Sequence, residues 1–404
     1  MNNGYSARFL DRSTPPHIIT LILLAGIAAL AMNVFLPSLP NMAAYFETEY
    51  WVLQMSVAAY FAVNAILQII VGPISDNLGR RPVILWGLAL FTLASLGCIY
   101  APNATIFLVF RMCQAIIVTA MVLSRAIVRD VIPAEQAASM IGYVTMGMAV
   151  VPMLGPIVGG VLEEAFNWKA SFWLMVASGS GLFWICFYDL GETKRATGET
   201  LKQQFAHYPE LFASPRFWGY SLASGLSSGA FFSYLGGAPY IGTEIFNLSP
   251  ASLGFYFGAP ALGYFLGNFF SGRYSARVGL NRMVLIGALT TSIATLIPLI
   301  VFGLGFGSVT SFFGFMTFVG IGNGLTIPNA TSGMLSVRPH LAGTASGLGG
   351  AIMIGLGALL SALAGLAVAG GTSAMPVLFL MAVTSIGGFA AALVVIWRAK
   401  QIGA

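Results

Sequence analysis

Apolar residues run along this chain in blocks of about twenty, and short polar clusters punctuate them. A block of that length lets a helix cross a hydrocarbon core roughly 30 Å thick. Twelve such blocks are legible, at about 17–38, 51–73, 82–101, 104–127, 138–162, 170–189, 215–238, 250–272, 282–304, 308–335, 342–368 and 375–397. They are about twice the length of a barrel strand, and in lipid every backbone amide must be paired within its own helix or a closed barrel. The pattern therefore predicts an all-α membrane protein with twelve transmembrane helices. A cleavable leader is not expected, because the Pro-rich LPSLP after the first block is a poor small-residue cleavage site.

The longest polar stretch, GETKRATGETLKQQFAHYPELFASPR at 191–216, divides the blocks into six and six. This predicts an N-terminal six-helix bundle over 1–190, a cytoplasmic linker over 191–215 and a C-terminal six-helix bundle over 216–404. Within the linker Leu201, Phe205 and Leu211–Phe212 recur at roughly helical spacing, which fits a short interfacial helix as well as an irregular tether. A shift of 200 residues superposes Gly72, Ser75, Gly79, Leu85 and Gly87 on Gly272, Ser275, Gly279, Leu285 and Gly287. The same shift carries Gly147, Met153 and Gly155 onto Gly347, Met353 and Gly355. Two pseudo-symmetric halves suit a carrier that rocks around a site near the midplane.

Charge adds an orientation. Only 8% of the 404 residues are charged, against about 25% in a soluble domain, so lipid is the solvent for most of the chain. With the N-terminus placed inside, the inner segments hold Arg8, Arg12, Arg80, Arg81, Arg125, Arg129, Lys194, Arg195, Lys202, Arg216, Arg273, Arg277, Arg282, Arg338, Arg398 and Lys400. These are 16 of the 18 basic residues. Lys169 alone falls outside and Arg111 falls within a block, so both termini are expected to be cytoplasmic. The basic residues are thus topological, and no basic patch with interleaved aromatics suggests nucleic acid. Cys98, Cys113 and Cys186 lack metal-ligand spacing and read as packing residues. No cofactor, metal site or enzyme constellation is expected, and the carrier is expected to be a monomer.

Three motifs carry chemistry. GPISDNLGRRPV, between blocks two and three, holds Gly72, Asp76, Gly79, Arg80 and Arg81. The glycines permit a tight turn between antiparallel helices, and Asp76 can pair with an arginine or cap a helix. In the second half Ala276 stands where Asp76 would be, so any charge latch is one-sided. RMCQ places Arg111 about two turns inside block four with Gln114 on the same face. A guanidinium so deep needs acceptors or a water-filled cavity, unless it snorkels to the interface. VPMLGPIVGG in block five combines Pro152 and Pro156 with Gly155, Gly159 and Gly160, which bends the helix and strips bulk from one face.

These stretches resemble the major facilitator superfamily. The loop fits its G-x-x-x-D-x-x-G-R-R/K pattern, RMCQA is similar to its R-x-x-Q-G pattern with Ala115 for glycine, and GPIVGG looks like its antiporter motif. MNVFLPSLPNM, QMSVAAYFAVNAILQIIVGPISDNLGRRPV and SRAIVRD resemble the bicyclomycin/chloramphenicol-type branch of its twelve-span drug:proton antiporters. The resemblance implies proton-driven export of small amphipathic, drug-like compounds across a bacterial inner membrane. In relatives the arginine of span four is linked to proton transfer or substrate binding, a role the resemblance carries to Arg111. Uptake or exchange of an anionic metabolite, with Arg111 as counter-ion, is the alternative.

The branch usually carries an aspartate in span one where this chain has Asn33, an amide that cannot titrate. None of the 13 carboxylates falls at mid-depth in a predicted span, although intramembrane acids are the usual proton relays. His17, His207 and His340 are peripheral too. Three readings stay open. Glu163, Glu164 or Glu244 lies deeper than the pattern suggests and titrates near Arg111; the substrate brings the proton or the charge; or transport is uncoupled. Asn33 is expected either to help hold the Arg111 donors or to make a helix–helix hydrogen bond worth about 0.6 kcal/mol. Further candidates for the substrate and proton pathway are Asn64 with Gln68 on span two, Phe231 and Tyr234 on span seven, Tyr256, Tyr264 and Asn268 on span eight, and Asn323 on span ten.

Overall fold

In a computed structural model that describes residues 7–131, 151, 154–193, 208–338 and 341–401, helices stand at all twelve predicted positions, the fifth over 154–165. Nine helical segments among the described residues are long and apolar enough to cross a membrane. The remaining three predicted spans are the fifth, much of which lies outside the described residues, and the seventh and eighth. The seventh (Pro215–Tyr240) and the eighth (Pro250–Tyr256 and Gly258–Val278) are diluted by Ser and Gly, and they bury most of those small residues against neighbours.

Several helices break where their sequence requires it. The first span is an α-helix over Ile18–Asn33, a 3-10 turn over Leu36–Ser38 and a second helix over Leu39–Tyr45. Pro37 and Pro40 have no N–H, so the carbonyls of Asn33 and Leu36 lose their usual donors four residues on. The fourth span changes from α-helix over Ala104–Cys113 to a 3-10 turn over Gln114–Ile117, then to α-helix over Val118–Val131. The second runs as one helix over Tyr50–Leu78, five residues beyond the predicted 51–73 at its far end, and ends at Gly79.

The 200-residue repeat is visible in the backbone. Gly79 has φ 96° and ψ 152°, and Gly279 has φ 91° and ψ 144°. Their N–H groups donate to Ser75 O at 3.0 Å and Ser275 O at 2.9 Å. Both turns occupy a region essentially reserved for glycine. Among the described residues only the first turn is tied down by charge. Glu192 accepts from Arg80 N at 2.9 Å and Arg81 N at 3.3 Å, capping the third helix (Arg80–Ile99) from 112 residues away. The guanidinium of Arg80 pairs with Asp130 at 3.1 Å and also meets Ser75 Oγ, while that of Arg81 donates to Leu190 O and Phe187 O. Of Asp76 only its place in the second helix is described.

In the linker, a helix forms over Tyr208–Phe212, while Leu201 and Phe205 lie outside the described residues. Leu211 is fully buried in a cluster with Phe217 and Tyr220. It therefore faces protein, and this short helix is docked on the bundle instead of lying in the lipid interface. Among the cysteines, Cys98 and Cys186 are buried as expected, but Cys113 is exposed.

The two halves meet most closely at the end opposite the chain termini. Tyr50 Oη donates to Gly236 O at 3.1 Å, and Gln54 Nε2 donates to Ser361 Oγ at 2.9 Å. The rings of Tyr50 and Tyr240 lie 5.1 Å apart, as do those of Phe61 and Phe232. Ala251 N donates to Glu164 at 3.2 Å. The two halves are sealed there by polar and aromatic contacts together.

Candidate functional site

Arg111 is the largest fully buried side chain, at 0% exposure. Its Nε donates to Ser56 O at 3.1 Å, Nη1 to Gln114 Oε1 at 2.8 Å and Nη2 to Ala31 O at 2.9 Å. Its guanidinium carbon lies over the Phe35 ring at 4.4 Å from the centroid and over the Tyr60 ring at 4.0 Å. A desolvated cation–π contact of this kind is worth about 2 kcal/mol. Ala31 lies in the last turn of the first helix, where carbonyls have no donor within the helix. The end of that helix at Asn33 thus leaves an acceptor at the negative end of a helix dipole, and a cation is favoured there. Gln114 extends the network, with Nε2 donating to Ser95 Oγ at 2.7 Å and approaching Met175 Sδ at 3.6 Å. One guanidinium ties spans one, two and four together, and Gln114 brings in spans three and six.

Two expectations are corrected here. Asn33 is 6% exposed, but its Nδ2 donates to Ala29 O at 2.8 Å and it is absent from the Arg111 bonds. Residues 31 and 35 face Arg111, and the helical offset turns Asn33 toward span five, where a Cβ on Gly155 would lie 3.8 Å from its own. The boundary carboxylates also lie elsewhere. Glu163 is 8% exposed and accepts from Asn41 at 2.7 Å, Glu164 binds Ala251 N, and Glu244 lies in a π-turn over Ile241–Ile245. Arg111 is solvated by carbonyls, an amide and rings. Snorkelling is excluded as well, since its side chain is buried in protein.

The span-five motif is a contact surface. A Cβ on Gly159 would collide with Val34 O, and one on Gly160 with Pro250 O of span eight. On the facing helix a Cβ on Gly254 would collide with Pro156 O. Glycine at these three positions lets backbone touch backbone both within the first half and across the halves. Pro152 lies outside the described residues.

The remaining candidates do not converge on the Arg111 cluster. Asn64 Oδ1 accepts from Gln68 at 2.7 Å, and its Nδ2 is buried with no partner among the described residues. Tyr234 is fully buried, with Phe231, Phe257, Phe312 and Phe313 around it at ring distances of 5.1–6.4 Å, and its hydroxyl also lacks a partner. Asn323 Oδ1 is buried in the same condition on span ten. Tyr256 stacks on Phe313 at 5.0 Å, and Asn268 Nδ2 returns to Tyr264 O at 2.8 Å. Sequence reasoning missed Phe35 and Tyr60, although both lie beside singled-out positions in MNVFLP and AAYFAVN. Its other omission, the carbonyls of Ala31 and Ser56, has no side-chain signal at all.

Comparison with known proteins agrees with this architecture. The family model for the Major Facilitator Superfamily matches residues 21–362. An uncharacterized MFS-type transporter of Bacillus subtilis is 30% identical over 375 residues, 91% of this chain and 92% of that protein. Multidrug resistance protein D of Escherichia coli is 28% identical, covering 85% and 87%. The chloramphenicol resistance protein of Pseudomonas aeruginosa is 28% identical, covering 83% and 81%. Among solved structures, a bacterial homolog of the human lysosomal transporter Spinster superposes with a TM-score of 0.71. It covers 95% of this chain and 96% of that one at 17% identity.

Proposed function

This chain belongs to the Major Facilitator Superfamily, in its bicyclomycin/chloramphenicol resistance branch, and from that premise we propose that it exports drug-like compounds by alternating access. It is a multi-pass membrane carrier. In this reading the halves over 1–190 and 216–404 rock about a central path, with the linker and both termini on the cytoplasmic side of a bacterial inner membrane. A monomer suffices, since each half supplies one wall. The sealed end is then the outer one, and the described state is closed to the outside.

The observation that carries export is the likeness to two drug-resistance proteins over more than four fifths of the chain. The geometry supports it over uptake of an anion. A counter-ion must meet its ligand, and Arg111 is fully buried with the Phe35 and Tyr60 rings against its guanidinium. Its proposed role is therefore to hold spans one, two and four in register beside the path. Gln114 shares that role, and the pathway is lined from Asn33, Asn64, Phe231, Tyr234 and Asn323. The motif face of Gly155, Pro156, Gly159 and Gly160 closes the outer end, and the loop of Gly72, Asp76, Gly79, Arg80 and Arg81 stiffens the inner one. Proton antiport is the proposed driving reaction.

The test is drug-triggered proton movement in proteoliposomes, paired with drug susceptibility in an efflux-deficient host. Protection that collapses with an uncoupler supports antiport. Protection that survives it retires the coupling and leaves export standing, and no protection beside uptake of an organic anion overturns the reading.

A further inference from the structure

We propose that Glu163 is the outer proton site of this carrier, holding a proton while the outer end is closed and giving it up before that end opens. The inference rests on the antiport reading and deepens it by naming the group that protons act on. It starts from two buried acids. Among the carboxylates whose side chains are described, Asp189 and Glu163 are buried, at 0% and 8% exposure. Asp189 is served as an acceptor-only group requires, since its two oxygens accept from Leu10 N at 2.7 Å and His17 N at 2.9 Å. Glu163 is not. Its Oε1 accepts from Asn41 Nδ2 at 2.7 Å, while Oε2 is buried with no partner among the described residues.

An ionised oxygen left dry and unbonded is costly. A proton on Oε2 removes the charge, leaves Oε1 to accept from Asn41 and turns Oε2 into a donor. An acceptor stands in the same seam. Ser38 Oγ is fully buried and also lacks a partner among the described residues. Ser38 lies one turn beyond Val34 on span one, as Glu163 lies one turn beyond Gly159, and a Cβ on Gly159 would collide with Val34 O. The other charged groups at this end are Glu47, Glu49, Glu164, Glu244 and Lys169. Glu49 accepts from Trp51 Nε1 and Glu244 from Thr243 Oγ1, while the Lys169 ammonium lies over the Tyr45 and Trp168 rings. What spans one and eight bring to Glu163 is neutral: Ser38, Asn41 and the Pro250–Ala251 backbone. No lysine or arginine pairs with it among the described residues.

The place of Glu163 ties this proton to the seal. Gly160 and Glu164 flank it and both meet span eight, Gly160 against Pro250 O and Glu164 through Ala251 N. Parting of the halves at this end removes that cover and admits water to the carboxyl. At the opened end a hydronium ion then gives its proton to Oε2, so that the O–H bond forms and one water is left. Closing buries the neutral acid, and the reverse transfer to water precedes the next opening. Closure therefore consumes one external proton, and the emptied carrier does not reset without it.

The experiment measures the separation of spin labels at Ala44→Cys and Thr372→Cys, exposed positions at the outer end of either half, with Cys113→Ala removing the exposed native thiol. In the otherwise wild-type carrier the ratio of separated to closed populations is expected to rise with pH, by up to about tenfold per unit, the limit for one linked proton. Glu163→Gln, an uncharged stand-in for the protonated acid, is expected to stay closed and lose the dependence. Glu163→Asp and Glu164→Gln are expected to keep it. Should Glu163→Gln fail to accumulate, Asn41→Asp sets a second acid against Oε1 and is expected to move the midpoint to higher pH. A pH dependence that survives in Glu163→Gln, disappears in Glu164→Gln or is unmoved by Asn41→Asp overturns the proposal. So does drug-triggered proton movement that Glu163→Gln retains in proteoliposomes, which leaves antiport standing. Wild type that moves no protons when drug is added overturns the antiport reading itself.

Discussion

Arg111→Lys separates a structural clasp from a chemical group. Lysine keeps the charge but not the planar fork, and its ammonium stacks poorly on rings. It cannot reach Ala31 O, Ser56 O and Gln114 Oε1 together, because these acceptors lie on three different helical segments. Two bonds are therefore lost. Charged hydrogen bonds are worth about 1.5–3 kcal/mol each in soluble proteins, and interhelical bonds in membranes average about 0.6, which brackets the loss at roughly 1–6 kcal/mol. Weakened stacking on Phe35 and Tyr60 moves the value up from the lower bound, to about 3 kcal/mol. In a unit of 150–250 residues each kcal/mol lowers the melting temperature by about 2–4 °C, so a drop of about 6–12 °C is expected. The assay is loss of the monodisperse gel-filtration peak after heating the detergent-purified carrier. A variant that melts within about 2 °C of wild type yet no longer transports would refute the clasp.

Gly159→Val should abolish transport and lower expression, because its Cβ meets the Val34 carbonyl; transport at wild-type rate would show that the contact can relax. Gly79→Ala should cost more than Gly279→Ala. Both pay about 1–3 kcal/mol of backbone strain, but only at Gly79 does the added Cβ strike Glu192, and equal melting temperatures would contradict this. Gln54→Leu removes the bond to Ser361 across the sealed end, so single cysteines beyond that seal should label faster with a membrane-impermeant maleimide. Glu192→Ala should lower stability by about 0.5–2 kcal/mol through loss of the helix cap, read by the same heating assay.

The helical framework was legible because hydropathy at a fixed length admits one answer in lipid. Even the Ser-rich seventh span was found, since Pro215 and the polar linker mark its start. The turn glycines were legible too, and Gly79 and Gly279 adopt the same backbone. The partners of Arg111 were not. They are carbonyls on spans one and two, and although Pro37 and Pro40 mark where the first helix breaks, no residue type says which carbonyl a distant guanidinium will take. Asn33 was misjudged for a related reason. Its depth matched that of Arg111, but the rotation of the helix after Ala31 turned it to another neighbour. For Leu211 periodicity left an interfacial helix and an irregular tether equally open, and it cannot distinguish a membrane interface from the flank of a bundle, where Leu211 is buried.

The clasp around Arg111 has one property that an ordinary ion pair would lack. A carboxylate partner would loosen in acid, and it would draw protons away from whichever group transport uses. Peptide carbonyls, an amide and two aromatic faces do not titrate in any physiological range. The scaffold of the first half therefore stays equally tight on the acidic and the alkaline side of the membrane. Its mechanical strength is uncoupled from the gradient that would drive the cycle.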